Sequence, residues 1–136
     1  MKFHLALALW LSTMVLVLAN GAIGDTIIAT ASARAADVYK AVIPLPYVAL
    51  CAWVLARRSP GAAMADAVVA GMLWAVSTIV AEVLAARLLQ GLTWRLALSD
   101  LRFWEGYLFA LVPLAQLVAP AVALFALRRS GVRPTA

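Results

Sequence analysis

The chain has 136 residues, 66% hydrophobic and 12% charged, with a mean hydropathy of +1.00. A soluble domain of this size has too much surface for its volume to hide that much apolar side chain, so a soluble globular fold is excluded. The net charge of +5 does not mark a nucleic-acid binder, because the basic residues sit at the ends of apolar runs, where topology signals lie.

The first apolar run, about residues 3–19, follows Lys2. A helix needs roughly 20 apolar residues to cross the hydrocarbon core, with 17 near the lower limit, so this run is adequate. It also has the outline of a secretory signal, with Leu5 to Leu18 as the apolar core and Val17 and Ala19 fitting a cleavage site. The core is long for a signal and the basic start is thin, which favours a retained span. The second run reaches Ala56 and is short unless it recruits Val38 and Tyr39, giving about residues 39–56. It contains Cys51, the single cysteine, which excludes an internal disulfide and reads as a small buried hydrophobe. The third run, about residues 67–89, and the fourth, about 106–127, are long enough without help.

Only helices and closed barrels satisfy every backbone group in lipid, and these runs are too long and too evenly apolar for alternating barrel strands. The expected fold is therefore all-α: a polytopic membrane protein of one domain over residues 1–136, with four transmembrane helices. Lys2, the Arg57-Arg58-Ser59-Pro60-Gly61 turn, and Arg128, Arg129 and Arg133 alternate correctly to share one side. The positive-inside rule makes that side cytoplasmic, placing both termini there. Arg34, Lys40, Arg95 and Arg102 fall on the outer side beside Asp25, Asp37, Asp100 and Glu105.

Within the third span Ala67, Gly71 and Ala75 recur every fourth residue, the small-xxx-small spacing that lets helix backbones approach closely. Glu82 lies on the same face, since eleven residues make three turns plus roughly 20°. An acid at that depth costs roughly 2.5–3.5 kcal/mol on insertion scales unless it meets protein or water, so Glu82 is the first candidate for function. The same residue in a purely structural role would be an interhelical carboxyl, protonated or paired with an arginine. Asn20 ends the first run at the same level, and Glu105 and Gln116 share a face of the fourth span. Pro113 and Pro120 flank Gln116 and invite a kink. Asn20, Glu82, Glu105 and Gln116 are therefore expected to form a polar cluster, a candidate ligand or ion site opening to the outer face. For Gln116, interhelical hydrogen bonding is the favoured role. Arg87, about 140° around the helix from Glu82, is expected to point elsewhere and snorkel to the outer interface.

The link between the third and fourth spans is not an ordinary loop. Gly91 can end one helix and Thr93 can cap another, and Trp94, Leu98 and Leu101 share a face. A short outer interfacial helix is expected here, with Trp94 and Trp104 at headgroup level and Asp100 on its outer side. Alternatively the segment folds over the polar cluster as a lid.

The Asn20-Gly21 pair followed by Gly24-Asp25, the acid at Glu82, the run Trp94-Arg95-Leu96-Ala97-Leu98-Ser99-Asp100 and the glycine at Gly106 resemble a pattern in small uncharacterised bacterial inner-membrane proteins. In those proteins an Asn-Gly pair precedes an Arg-Glu pair. The resemblance implies a four-helix inner-membrane fold and transfers no activity. Gly24 departs from it where arginine is the pattern, and Asp25 stands in for glutamate. If that arginine neutralises the buried acid, this chain must use Arg34, Lys40, Arg95 or Arg102.

No phosphate loop, paired-histidine motif or Ser-His-Asp set is present, and His4 is the single histidine. Glu82, Asp100 and Glu105 match no ligand spacing, so neither a metal nor another cofactor is expected. The bilayer is the one assured partner, and nucleic acid is not expected. Three functional readings follow. In the favoured one the chain is a non-catalytic accessory or assembly subunit, packing its Gly71 stripe against a larger membrane complex or another copy. In the second, Glu82 binds a proton or cation in a small transporter or channel component. In the third, the chain is an enzyme or binding protein for a lipid or quinone, with Glu82 or Asp100 under the lid.

Overall fold

A computed structural model describes residues 1–102 and 105–131, and these are all-helical, with no strand among them. The chain is an all-α polytopic membrane protein with four helices long and apolar enough to span a bilayer: Phe3–Ile28, Ala33–Arg57, Met64–Leu88 and Leu111–Arg129. Within these, α1 is Phe3–Ile23, continued by a π-helical turn over Gly24–Ile28. α2 (Ala33–Val42) and α3 (Pro44–Arg57) make the second span, α4 (Met64–Leu88) the third and α6 (Leu111–Arg129) the fourth. Between α4 and α6 lies the one-turn helix α5 (Trp94–Ala97), followed by a 3-10 turn over Ser99–Leu101.

Three boundaries move from those expected, for physical reasons. The fourth span starts at Leu111 and not at Gly106, whose φ of +91° is incompatible with a right-handed helix. The first span does not stop at Ala19. Asn20 turns its side chain to another helix instead of capping its own, and the helix runs on until Ala29 N–H donates to the Gly24 carbonyl at 2.8 Å. The second span starts earlier, at Ala33, where the Ser32 hydroxyl accepts from the Ala35 N–H at 3.2 Å and caps α2. Asp37 and Lys40 interrupt the apolar pattern there, but they pair with each other and with α1, so the helix tolerates them.

The fourth span sits at the centre of the packing, lying along α4 on one side and α3 on another, while α1 rests against α3. The shared core is built largely of small residues: Ala52, Ala67, Ala70 and Ala123 with Cys51, Leu55 and Trp74. Lipid gives helices no hydrophobic drive to associate, so close backbone approach supplies the packing energy. Ala67, Gly71 and Ala75 are all buried. A Cβ placed on Gly71 would stand 2.1 Å from the Leu117 carbonyl oxygen and 3.1 Å from that of Gln116. Pro120 has no N–H, so the Gln116 carbonyl lacks its usual helical partner at the crossing. The Gly71 stripe is therefore covered by the chain's own fourth span, which removes it as a docking face for a larger complex.

One end of the bundle, here called the basic end, gathers the N-terminus and the end of α6 at the α3–α4 turn. The Met1 amine donates to Asp66 Oδ2 at 3.1 Å, Lys2 N–H to Ser59 Oγ at 3.2 Å, and Arg128 Nη2 to the Ala62 carbonyl at 2.6 Å. Along its length α1 is tied to α4 by two indoles: Trp74 Nε1 donates to the Ala6 carbonyl at 2.9 Å and Trp10 Nε1 to Thr78 Oγ1 at 3.1 Å. α1 is thus a packed helix of the bundle. The opposite end, the distal end, carries the turn from α1 to α2 and the link through α5.

Candidate ligand chamber at the distal end

Toward the distal end the helices part and leave a chamber of about 700 Å³. Its walls come from the end of α1 and its π turn, from Lys40 on α2, from the last two turns of α4, and from the link, with Phe109 beyond it. Most of the lining is apolar, including Val17, Leu18, Val83, Leu89, Leu96 and Phe109. One corner carries charge, with Asp25, Lys40 and Glu82 all on the wall.

The charged corner is organised around Lys40. Its Nζ donates to Asp25 Oδ1 at 2.8 Å and lies 4.0 Å from Asp37 Oδ1. Its aliphatic stem crosses Gly24 so closely that a Cβ there would sit 2.7 Å from Lys40 Cγ. Position 24 is therefore glycine because the lysine from the next helix occupies its side-chain space. Backbone chemistry fixes the same helix. Pro44 lacks the N–H that would bond Lys40's carbonyl four residues back, and Asn20 Nδ2 donates to that carbonyl instead, at 3.3 Å. A missing backbone donor on one span is thus met by an amide from another.

Of the four cations that could stand in for an arginine at position 24, only Lys40 lines the chamber. Arg34 Nη1 donates to the Gly106 carbonyl at 3.0 Å, and Arg102 pairs with Glu105 at 3.2 Å. Arg95 sits exposed on α5. Arg87 is turned away from the chamber, donating to the Leu92 carbonyl and stacking 4.9 Å over the Trp94 ring. That contact pins the start of the link to α4 by a cation–π interaction, a more specific role than reaching for the interface.

The four residues expected to cluster are not brought together as a set. Glu82 is half-buried on the chamber wall. Asn20 is buried nearby but engages the α2 backbone, and its Oδ1 meets no donor among the described residues. Glu105 lies exposed at the distal surface with Arg102. Gln116 is fully buried on α6, and neither atom of its amide has a hydrogen-bond partner among the described residues. It belongs to the interior, not to the chamber lining, so interhelical bonding of its amide is not what the geometry displays.

The link matches its expected chemistry in part. Gly91 ends α4 with φ +66°, a left-handed conformation that favours glycine, and Thr93 Oγ1 accepts from Leu96 N–H at 3.4 Å. Trp94 is exposed, whereas Leu92, Leu96, Ala97, Ser99 and Leu101 face the chamber and wall it off. The segment is thus both a short helix at the bundle end and a wall of the chamber. Trp104 and the side chain of Asp100 lie outside the described residues.

Asp25 and Lys40 were not among the sequence's site candidates, because Asp25 fell beyond the expected end of the first span and Lys40 stood only as one of four outer-side cations that could stand in for an arginine. A signal for Lys40 was present in its spacing to Pro44, which marks its carbonyl, like that of Val42 before Pro46, as lacking the usual helical donor.

A search of protein families, curated proteins and solved structures gives no match for the chain. The fold and chamber define the class, a four-span helical membrane protein with a partly charged cavity at one end, and its function must be argued from that geometry.

Proposed function

We propose that the chain is a non-catalytic integral protein of the bacterial inner membrane, with both termini cytoplasmic, that holds an amphiphile of lipid or quinone type in its distal chamber. The observation that carries this reading is the chamber itself: about 700 Å³, within the roughly 300–1,000 Å³ of small-molecule sites, with apolar walls and a few convergent polar groups. An amphiphile's tail matches the walls and its head matches the corner at Asp25, Lys40 and Glu82. The N-terminus, the basic end of α6 and the basic α3–α4 turn share one end, which supports the cytoplasmic assignment for that end.

The other readings have less to stand on. An accessory role through the Gly71 stripe loses its face, because α6 covers it. Transport through Glu82 would need a path past the interior one turn away, where Thr78, Met14 and Trp74 are buried.

Gly21 provides the test. It lines the chamber, and a Cβ built there meets nothing within 4 Å, so a larger side chain would grow into the cavity without a clash. Gly21→Leu is expected to leave the detergent-extracted protein folded and to remove a copurifying lipid-like mass in native mass spectrometry. Wild-type protein that carries a stoichiometric larger protein, and no small apolar mass, would replace this reading with the accessory one.

A further inference from the structure

The two ends of the bundle differ in charge. The distal segments, residues 25–40 and 82–105, carry five basic and five acidic side chains and are formally neutral. The basic end carries Lys2, Arg57, Arg58, Arg128 and Arg129 against Asp66 alone, an excess of four positive charges. Asp66 does not offset it, because its Oδ2 already accepts from the Met1 amine at 3.1 Å and from the Ala63 N–H at 3.0 Å. Arg128 reaches the Ala62 carbonyl, but no ion pair among the described residues engages any of the five cations. Arg57 stands out among them. It is half-buried in the last turn of α3, and its Nε is enclosed with no hydrogen-bond partner among the described residues. A topology signal needs only a solvated charge, whereas a half-buried guanidinium needs an acceptor. The face that leads to Arg57 is turned to lipid: Trp53, four residues before it, is 37% exposed, and Leu50, seven before it, is 56% exposed.

We infer that the basic end docks an anionic phospholipid, with its phosphate at Arg57 and an acyl chain along the Leu50 and Trp53 face of α3. The planar guanidinium fork matches phosphate oxygens, and the phosphate supplies the acceptor that the described protein does not. The excess of positive charge decides which phospholipid. A zwitterionic head brings its own amine to a surface that already holds too many cations, whereas a head with net negative charge neutralises one of them. Arg58 and Arg129, both exposed at the same end, add to the field without needing to touch the lipid. This surface lies at the opposite end of the bundle from the chamber, so it stands or falls apart from the function proposed above.

The experiment places the full chain in bilayers of equal phosphatidylglycerol and phosphatidylcholine with identical acyl chains, one lipid or the other being brominated in its chains. Bromine quenches a tryptophan that it touches, and the Trp53 signal is the difference between the wild type and Trp53→Phe. Trp94, exposed at the formally neutral distal end, is read in the same way through Trp94→Phe. Quenching of Trp53 is expected to show a preference for phosphatidylglycerol of roughly fivefold or more, the factor that one cation near an anionic head contributes, while Trp94 meets the two lipids alike. Arg57→Gln should cut the Trp53 preference several-fold, and Arg57→Lys, which keeps the charge without the fork, should retain part of it. Equal quenching of Trp53 by the two lipids, an equal preference at Trp94, or a full preference in Arg57→Gln would each overturn the inference. Quenching of Trp53 by neither lipid would also overturn it, since protein, such as a second copy of the chain, would then cover this face. The comparison of Trp53 with Trp94 leaves every basic residue in place, so an Arg57 variant that fails to fold does not blunt the test.

Discussion

At Gly71 the backbones of α4 and α6 touch, with room for no side chain between them. Three turns further along α4, at Glu82, the same helix has drawn away from its neighbours and a chamber of about 700 Å³ opens. The first region is built from small residues and backbone contact, and its buried polar atoms mostly bond within the bundle, as Thr13 Oγ1 does with the Leu9 carbonyl at 3.0 Å. The second is built from charges that bond across helices, Lys40 to Asp25 and Asn20 to the Lys40 carbonyl. Small residues let helices close in lipid, whereas charged groups need space and partners, and a helix that carries both can be tight at one end and open at the other.

The sharpest way to break this contrast is to put one substitution in each region. Gly71→Leu is expected to have the largest effect of all, because the clash is with backbone and cannot be relieved by a rotamer. Overpacking of this kind costs on the order of 3 kcal/mol or more, read as loss of monodisperse protein in detergent. Gly21→Leu, at the chamber, should change thermal stability little. Equal damage from the two would erase the distinction between a closed and an open half.

Lys40→Met comes next. It removes the cation from Asp25 and Asp37 while keeping a stem over Gly24, and should cost about 1–3 kcal/mol, between exposed and buried ion pairs. Lys40→Arg should restore most of that loss, and a melting temperature unchanged in Lys40→Met would show that the charged corner does not hold the distal end together. Asn20→Leu tests a single bond. It strips the Lys40 carbonyl of the donor that Pro44 cannot supply, at an expected cost of about 1–2 kcal/mol. Hydrogen exchange in α2 should rise more than exchange in α6.

The smallest expected change has the opposite sign. Gln116 is fully buried with an amide that bonds to no described residue. Replacing it with leucine removes the desolvation burden and should stabilise the closed region by up to about 1 kcal/mol. A clear loss of stability in Gln116→Leu would mean that the amide is satisfied in the membrane, and that the interior near the Gly71 crossing is wetter than its packing suggests.

Much of this architecture was legible along the chain because lipid imposes simple rules. Four apolar runs became four helices, and Ala67, Gly71 and Ala75 lay on the packed face at the expected spacing. Gly91 and Thr93 did what their backbone chemistry predicts. The polar cluster was only partly legible. Helical spacing put Glu82, Glu105, Asn20 and Gln116 at plausible levels, but level is not direction. Gln116 turned into the interior and Glu105 to the surface, while the unselected pair Asp25 and Lys40 joined Glu82 on the chamber wall.

The sequence by itself determined that this protein is a bundle of four spanning helices, because hydropathy, length and backbone satisfaction are local properties of a chain in lipid. It also determined which stripe of α4 is narrow enough for close contact. What only the tertiary structure decided is who occupies that stripe and which charges meet: α6 over Gly71, and Lys40 over Gly24 against Asp25. Those choices depend on the relative rotation and separation of helices distant in sequence, and a helix's own periodicity carries no information about its neighbour's angle.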